Sequence, residues 1–314
     1  MSRNLYFAFL FIACTALPIQ CEESFEKQIY ALLDNGKSQE ALDTLEKWKT
    51  INGENDPQYW VAAANTWFQI AAKPTLEISP LSNGKYRAQV GSDSEIILTD
   101  PKSGKEVGKI TEGAPQVDET KARKAISFLD EGIRRNPQRL DIFTGRAHLY
   151  RAIADLKGEL AALERLVKDP KPKDGKFEIG PKKIFDGSVE EYKLEMLMAY
   201  AREHLEKQNK NDDNAAKAIA ELTMRMFPKR PHGYNLMGVM ASYENNWPEF
   251  KKWLLLALEQ DAKDSLVIMN LGNCYEHLGD TKSAIEQYKK VILLNSDAEL
   301  VSDAKIKLEK LESK

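Results

Sequence analysis

Small and apolar residues in the last third of the chain return every 34 positions: Gly238 as Gly272, Leu254 as Tyr288 and Ala257 as Val291. A period of this length predicts stacked pairs of amphipathic helices, because one pair cannot bury its apolar face alone. The copies spanning His232–Ala262 and Leu266–Ser296 are the sharpest, and Ala298–Leu311 reads as a final capping helix. Looser copies occupy the rest. Leu32, Gly36, Ala41, Leu45 and Trp48 mark one. Trp60, Ala63, Ala64 and Trp67 open a second, whose other helix resumes with Ala125, Leu129, Gly132 and Pro137. Phe143, Ala147, Tyr150, Leu163 and Leu166 make a third, and Leu197, Tyr200, Ala216, Ala220 and Pro228 a fourth with a hinge lengthened near EKQNKNDDN. The count is six helical pairs.

Two stretches break this pattern. Residues 73–117 alternate in the manner of strands, with Pro101–Gly104 as a turn, and predict a small β-hairpin or three-strand meander inserted between the helices of the second pair. Residues 169–188 are rich in Pro, Gly and Lys and predict a second loop insertion, with KFEIG as its one strand. The predicted organisation is therefore a leader at 1–21, the first pair and half of the second at 22–72, the β insertion, the remainder of the second pair with the third at 118–168, the loop insertion, pairs four to six at 189–298, and the cap at 299–314.

The run NLGNCYEHLGDTKSAIEQYKKVILLN resembles the tetratricopeptide repeat: Ile268, Leu271, Gly272, Tyr275, Gly279, Ala284, Tyr288 and Val291 occupy its consensus positions, with Ser296 where proline is common. The resemblance implies an all-α fold, a right-handed α-solenoid of such hairpins carrying the small β insertion. It also implies a concave face lined by the first helix of each pair, a surface on which proteins of this family bind other proteins or peptides.

Composition narrows the function further. Net charge is −3, charged residues of both signs make up 30% of the chain, and no basic stripe with interleaved aromatics suggests nucleic acid. No G-x-S-x-G, H-E-x-x-H, phosphate-cradling glycine loop or paired cysteine motif occurs, so neither an enzyme, a cofactor nor a metal is expected. At the N-terminus, Arg3 precedes LYFAFLFIACTAL, an apolar run too short to span a bilayer, and Glu22 and Glu23 follow. This predicts export to the periplasm or beyond in a bacterial cell. A rival reading makes Cys14 a lipid acceptor. After cleavage Cys274 alone remains, and its place inside a packed helix predicts a buried small hydrophobe.

Register on the first helices selects the polar groove positions: Asn65, Asp141, Thr144, His148, Arg151, His232, Asn235, Tyr243, Asn270, Asn273, Glu276 and His277. Asn270 and Asn273 are similar to asparagines with which some tetratricopeptide proteins clamp a peptide terminus, but the basic partners of that clamp are missing. Trp247, beside Pro248 in a turn, is a candidate interface anchor. Trp48, Trp60 and Trp67 read as core, and Asp212–Asp213 as solvated charge. The leading expectation is an exported, non-enzymatic scaffold for a protein or peptide. The alternatives are an inhibitor or immunity-type binder of a secreted enzyme, with the β insert as plug, and a hydrolase sited between insert and groove.

Overall fold

The computed structural model describes residues 24–51, 53–78, 87–90, 96–99, 103, 105–181, 183–207 and 210–313. The predicted leader with Cys14, and Pro101, Lys102 and Gly104 of the predicted turn, lie outside them. The chain forms two units, residues 1–159 with 170–184, and 160–169 with 185–314.

In the N-terminal unit, α1 (Phe25–Asp34) pairs with α2 (Ser38–Ile51), and α3 (Pro57–Ala71) with α4 (Glu119–Arg135). α5 (Leu140–Ala152) follows, and α6 (Leu156–Lys168) begins here and runs into the second unit. A run of aromatic contacts threads the core of the first two pairs. Phe25 stacks on Trp48 at 5.9 Å, Trp48 meets Tyr59 edge-on at 5.7 Å, and Tyr59 meets Trp60 at 5.0 Å. Trp48 and Trp60 are therefore core residues, as their consensus slots predict, while Trp67 is half-buried. Gly132 lets α4 approach α3, since a Cβ there would stand 2.9 Å from that of Trp60.

Between α3 and α4 the described residues form an antiparallel sheet of four strands, β1 (Ala72–Ile78), β2 (Arg87–Val90), β3 (Ile96–Thr99) and β4 (Glu106–Val117), in the order β1-β4-β3-β2: the predicted three-strand meander, β2-β3-β4, with one strand added. The extra strand is β1, which continues directly from α3. Its pairing with β4 is irregular between Lys73 and Thr75, where Pro74 has no N–H to give the ladder. Ala72 pairs with Val117, and Asp118 N–H donates to the Ala71 carbonyl at 3.0 Å. The insertion thus leaves and returns at one point, and the α3–α4 hairpin closes as if it were absent. The loop insertion is seated on the α4–α5 turn: Lys171 N–H donates to Pro137 O and Glu178 N–H to Gln138 O, both at 2.9 Å. Its strand β5 (Phe177–Glu178) falls within KFEIG and pairs with β6 (Ile184–Phe185).

The C-terminal unit stacks α7 (Val189–Leu205), α8 (Lys210–Met226), α9 (His232–Tyr243), α10 (Trp247–Gln260), α11 (Ser265–His277), α12 (Thr281–Leu294) and α13 (Ala298–Glu312), each against the next, with α13 also touching α11. Small residues set the approaches. A Cβ on Gly233 would lie 2.8 Å from the Ala220 carbonyl oxygen, and one on Gly272 would lie 2.5 Å from the Tyr288 ring. Cys274 is buried, and burial pushes its thiol pKa up, as befits a packed hydrophobe.

Among the described residues, four hairpins share one turn. Gly36, Ala154, Asn245 and Gly279 all adopt positive φ, between 56° and 77°. In each case this residue's N–H bonds three residues back and the next residue's N–H bonds five back, as in Asp155 N–H to Tyr150 O at 3.0 Å and Asp280 N–H to Tyr275 O at 2.9 Å. These are Schellman closures, which favour glycine. In three of them the next residue, Asp155, Asn246 or Asp280, accepts a bond from the first turn of the following helix. Ala154 carries a Cβ where its counterparts are glycine or asparagine. Ala154→Gly should therefore stabilise the N-terminal unit by about 1 kcal/mol; a lower urea midpoint in the variant would show that the turn holds no strain.

Candidate functional site

The second unit contains a groove of 960 Å³ built on the first helices of its hairpins. Glu195, Met198, Arg202 and Leu205 recur at helical spacing along one face of α7, and His232, Asn235, Leu236, Val239 and Tyr243 do so along α9. Leu266 of α11 completes the apolar lining, and Glu206 and Asp213 contribute carboxylates at the α7–α8 end. Two large apolar residues are left in solvent here: Tyr243 is 66% and Leu266 48% exposed. Burial of such side chains is favourable by about 25 cal/mol per Å², so an exposed apolar lining stores binding energy.

Local structure fixes each wall. Ser188 caps α7 by accepting from Glu191 N–H at 3.2 Å. Arg230 in the α8–α9 turn grips both Glu191 carboxylate oxygens, at 2.5 and 2.6 Å, tying the start of α9 to α7. Gly233 then presses α9 onto α8. His232, the first residue of α9, has a buried Nδ1 without a partner, and burial lowers its pKa.

The structure separates the twelve predicted groove residues and Trp247 into distinct roles. His232, Asn235 and Tyr243 line the cavity. Asn270 Nδ2 donates to Asn235 Oδ1 at 3.0 Å, locking α11 to α9, and Asn65 Nδ2 makes the same kind of cross-link to Tyr30 Oη at 2.9 Å in the first unit. Asn273 and Glu276 are turned to α12, with Oδ1 and Oε2 at 2.9 and 2.5 Å from the Tyr288 hydroxyl. His277 is exposed but lies flat on Trp247, 3.8 Å between rings. Trp247 is half-buried as the first residue of α10 and packs on the α9–α11 core, so it is no free anchor in a turn.

In the first unit, Asp141 is the counter-ion of Arg139, whose side chain is 2% exposed; the pair is bidentate, at 2.8 and 2.7 Å. Thr144 Oγ1 donates to the Asp141 carbonyl at 2.9 Å. His148 Nδ1 and Arg151 Nη2 are 3.4 Å apart. All four are half-buried.

His148 makes stability depend on pH. Burial, with the Arg151 charge second, lowers its pKa from 6.5 to about 4. Well above pH 6.5 the ring is neutral in both states; as pH falls through 6.5 toward 4 the unfolded chain takes up the proton first, so stability is lost. Between pH 7 and 5 the loss attributable to His148 is about 2 kcal/mol. Urea midpoints should fall more steeply across that range in the parent than in His148→Gln, and identical profiles would contradict the assignment.

Some of the site was missed from sequence. No sequence-predicted groove position falls on α7, whose 17-residue helix exceeds α9 by more than a turn, so the register of the later copies does not carry over to it. Leu236, Val239 and Leu266 are apolar, and so fall outside a selection of polar positions. Asp212 is not simply solvated: its Oδ1 lies 2.5 Å from Nδ1 of the buried His204. Among the described residues no group of three or more His, Cys, Asp or Glu could hold a metal, and no helix is long and apolar enough to cross a membrane.

Hairpins closed by Schellman turns, packed closely at glycines such as Gly132 and Gly272 and, in the second unit, exposing a groove on their first helices, define a helical-repeat protein with a tetratricopeptide-type fold and a small β insertion. The chain matches no family model and no curated protein. Among solved structures it is similar to YrrB, a tetratricopeptide protein with an unusual peptide-binding site, at 13% identity and a TM-score of 0.34 over 60% of this chain and 84% of that one. PcrH in complex with the chaperone binding region of PopD is matched at 15% identity and a TM-score of 0.34, over 39% of this chain and 93% of that one. The N-terminal domain of stress-induced protein-1 from C. elegans is matched at 18% identity and a TM-score of 0.30, over 38% and 96%.

Proposed function

We propose that this protein is a non-catalytic scaffold that holds a segment of another protein in the groove formed by α7, α9 and α11. The observation that carries the reading is the exposure of Tyr243 and Leu266 within a cavity whose α7 and α9 walls are joined through Arg230 and Glu191. Its volume lies near the upper end of small-ligand pockets, roughly 300–1,000 Å³, which suits several side chains of a polypeptide. The scaffold acts outside the cytoplasm of a bacterial cell, a reading supported by the charged, apolar and acidic succession of residues 1–23.

A photo-crosslinking amino acid at Tyr243 should capture a stoichiometric partner from the native cell, whereas the same probe at Leu293, 84% exposed on α12, should not. Leu266→Asp should abolish the capture. Equal labelling from both positions would remove the groove from consideration. The mass of the mature N-terminus tests export, and distinguishes a free terminus from a lipidated Cys14.

A further inference from the structure

Beyond the cavity itself, the charges on its wall are unequal. Its lining holds the carboxylates of Glu195, Glu206 and Asp213 against one guanidinium, Arg202. Among the described residues no ion pair joins any of these three carboxylates to a basic side chain; the neighbouring Lys207 is committed to Asp212 at 3.2 Å, and Arg230 to Glu191. His232 adds no positive charge near neutral pH, because burial disfavours its protonated form. The same lining carries the apolar side chains of Met198, Leu205, Leu236, Val239 and Leu266, and Tyr243 is exposed to solvent. An anionic segment would meet uncompensated like charge, which costs affinity and slows encounter, whereas a cationic one would be steered in.

Resting on the scaffold reading above, we infer that the occupant of the groove is a basic amphipathic segment, with apolar side chains against Met198, Leu236 and Leu266 and lysine or arginine facing Glu195, Glu206 and Asp213. Pairing of the basic groups with the carboxylates sets partner choice, while the apolar side chains supply the burial. Tyr243 offers its ring face to one of the cations.

The test uses the full chain and three fluorescent 12-residue peptides that share one leucine pattern and carry lysine, glutamine or glutamate at the remaining positions. In 50 mM salt the lysine peptide should bind about tenfold more tightly than the glutamine peptide, and the advantage should shrink in 0.5 M salt as screening sets in. Glu195→Gln/Glu206→Gln/Asp213→Asn should erase that advantage and leave the glutamine peptide unaffected. Neutralising three exposed carboxylates elsewhere, Glu259→Gln/Glu286→Gln/Glu309→Gln, should preserve the advantage, which separates the groove from general attraction to an acidic protein. Equal or tighter binding of the glutamate peptide, or loss of the advantage in the control triple, overturns the charge assignment while leaving the groove intact. If Tyr243→Ala weakens none of the peptides, or no peptide binds, the groove reading itself falls and this inference with it.

Discussion

Replacing Tyr288 with alanine should cost the C-terminal unit about 3–5 kcal/mol, the range for truncating a buried aromatic side chain. Tyr288 is fully buried, and its ring covers Gly272 so closely that a Cβ on that glycine would lie 2.5 Å from Cε1. Its hydroxyl sits 2.5 Å from Glu276 Oε2 and 2.9 Å from Asn273 Oδ1, so the ring is held at both ends and cannot swing aside. Truncation opens a cavity between α11 and α12 and leaves two polar groups without their shared donor. Tyr288→Phe keeps the volume and should cost only about 1 kcal/mol. The reciprocal change makes the contact measurable: Gly272→Ala should destabilise the parent by about 1–3 kcal/mol through overpacking, yet be tolerated once Tyr288 is alanine. Because repeats open locally, amide hydrogen exchange across α11–α13 is the proper readout. A loss under 1 kcal/mol for Tyr288→Ala would mean that the packing is looser than described.

Asp141→Ala should weaken the N-terminal unit by about 3 kcal/mol, the lower end for breaking a buried ion pair, because Asp141 is itself 24% exposed. The loss comes from what is left behind. Arg139 is 2% exposed, and without Asp141 its remaining side-chain acceptor is Gln58 Oε1, at 3.5 Å. Removing both charges together avoids that orphan, so Arg139→Met/Asp141→Leu should unfold at a higher temperature than Asp141→Ala. The opposite order would show that the guanidinium is hydrated or finds another partner. The same pair bears on the loop insertion, since Arg139 forms the bridge to Glu178 and the adjacent Gln138 carbonyl accepts from Glu178 N–H. Faster proteolysis around residues 170–180 in Asp141→Ala is the accompanying result.

Much of the fold could be read directly from residue patterns. Gly36 and Gly279 each follow an apolar helical run and precede the next helix, and both close hairpins through positive φ. Gly132 and Gly272 stand where an aromatic ring or its Cβ leaves no room for another atom. Asn245 and Ala154 make the same turn without glycine, which weakens the written signal while leaving the geometry unchanged. In the insertion, strand alternation was legible but β1 was not. That segment contains Pro74 and reads as a broken strand, and it is completed by the ladder it makes with β4.

The groove was legible only in part, and the first helices show why. Asn235, Asn270, Asn273 and Glu276 are all polar residues on such helices, and nothing in their identity distinguishes them. Asn235 lines the cavity, Asn270 is spent on Asn235, and Asn273 and Glu276 are spent on Tyr288. Asp141 was likewise read as a groove residue and serves a buried arginine two positions away.

By itself the sequence determined the helical pairs, the Gly272–Tyr288 contact and the glycine turns at Gly36 and Gly279, because each depends on neighbours within a single 34-residue period. The tertiary structure alone decided which polar groups remain available to a partner. That choice depends on hydrogen bonds between helices of successive repeats and on the extra turn of α7, and both follow from where the helices cross in space.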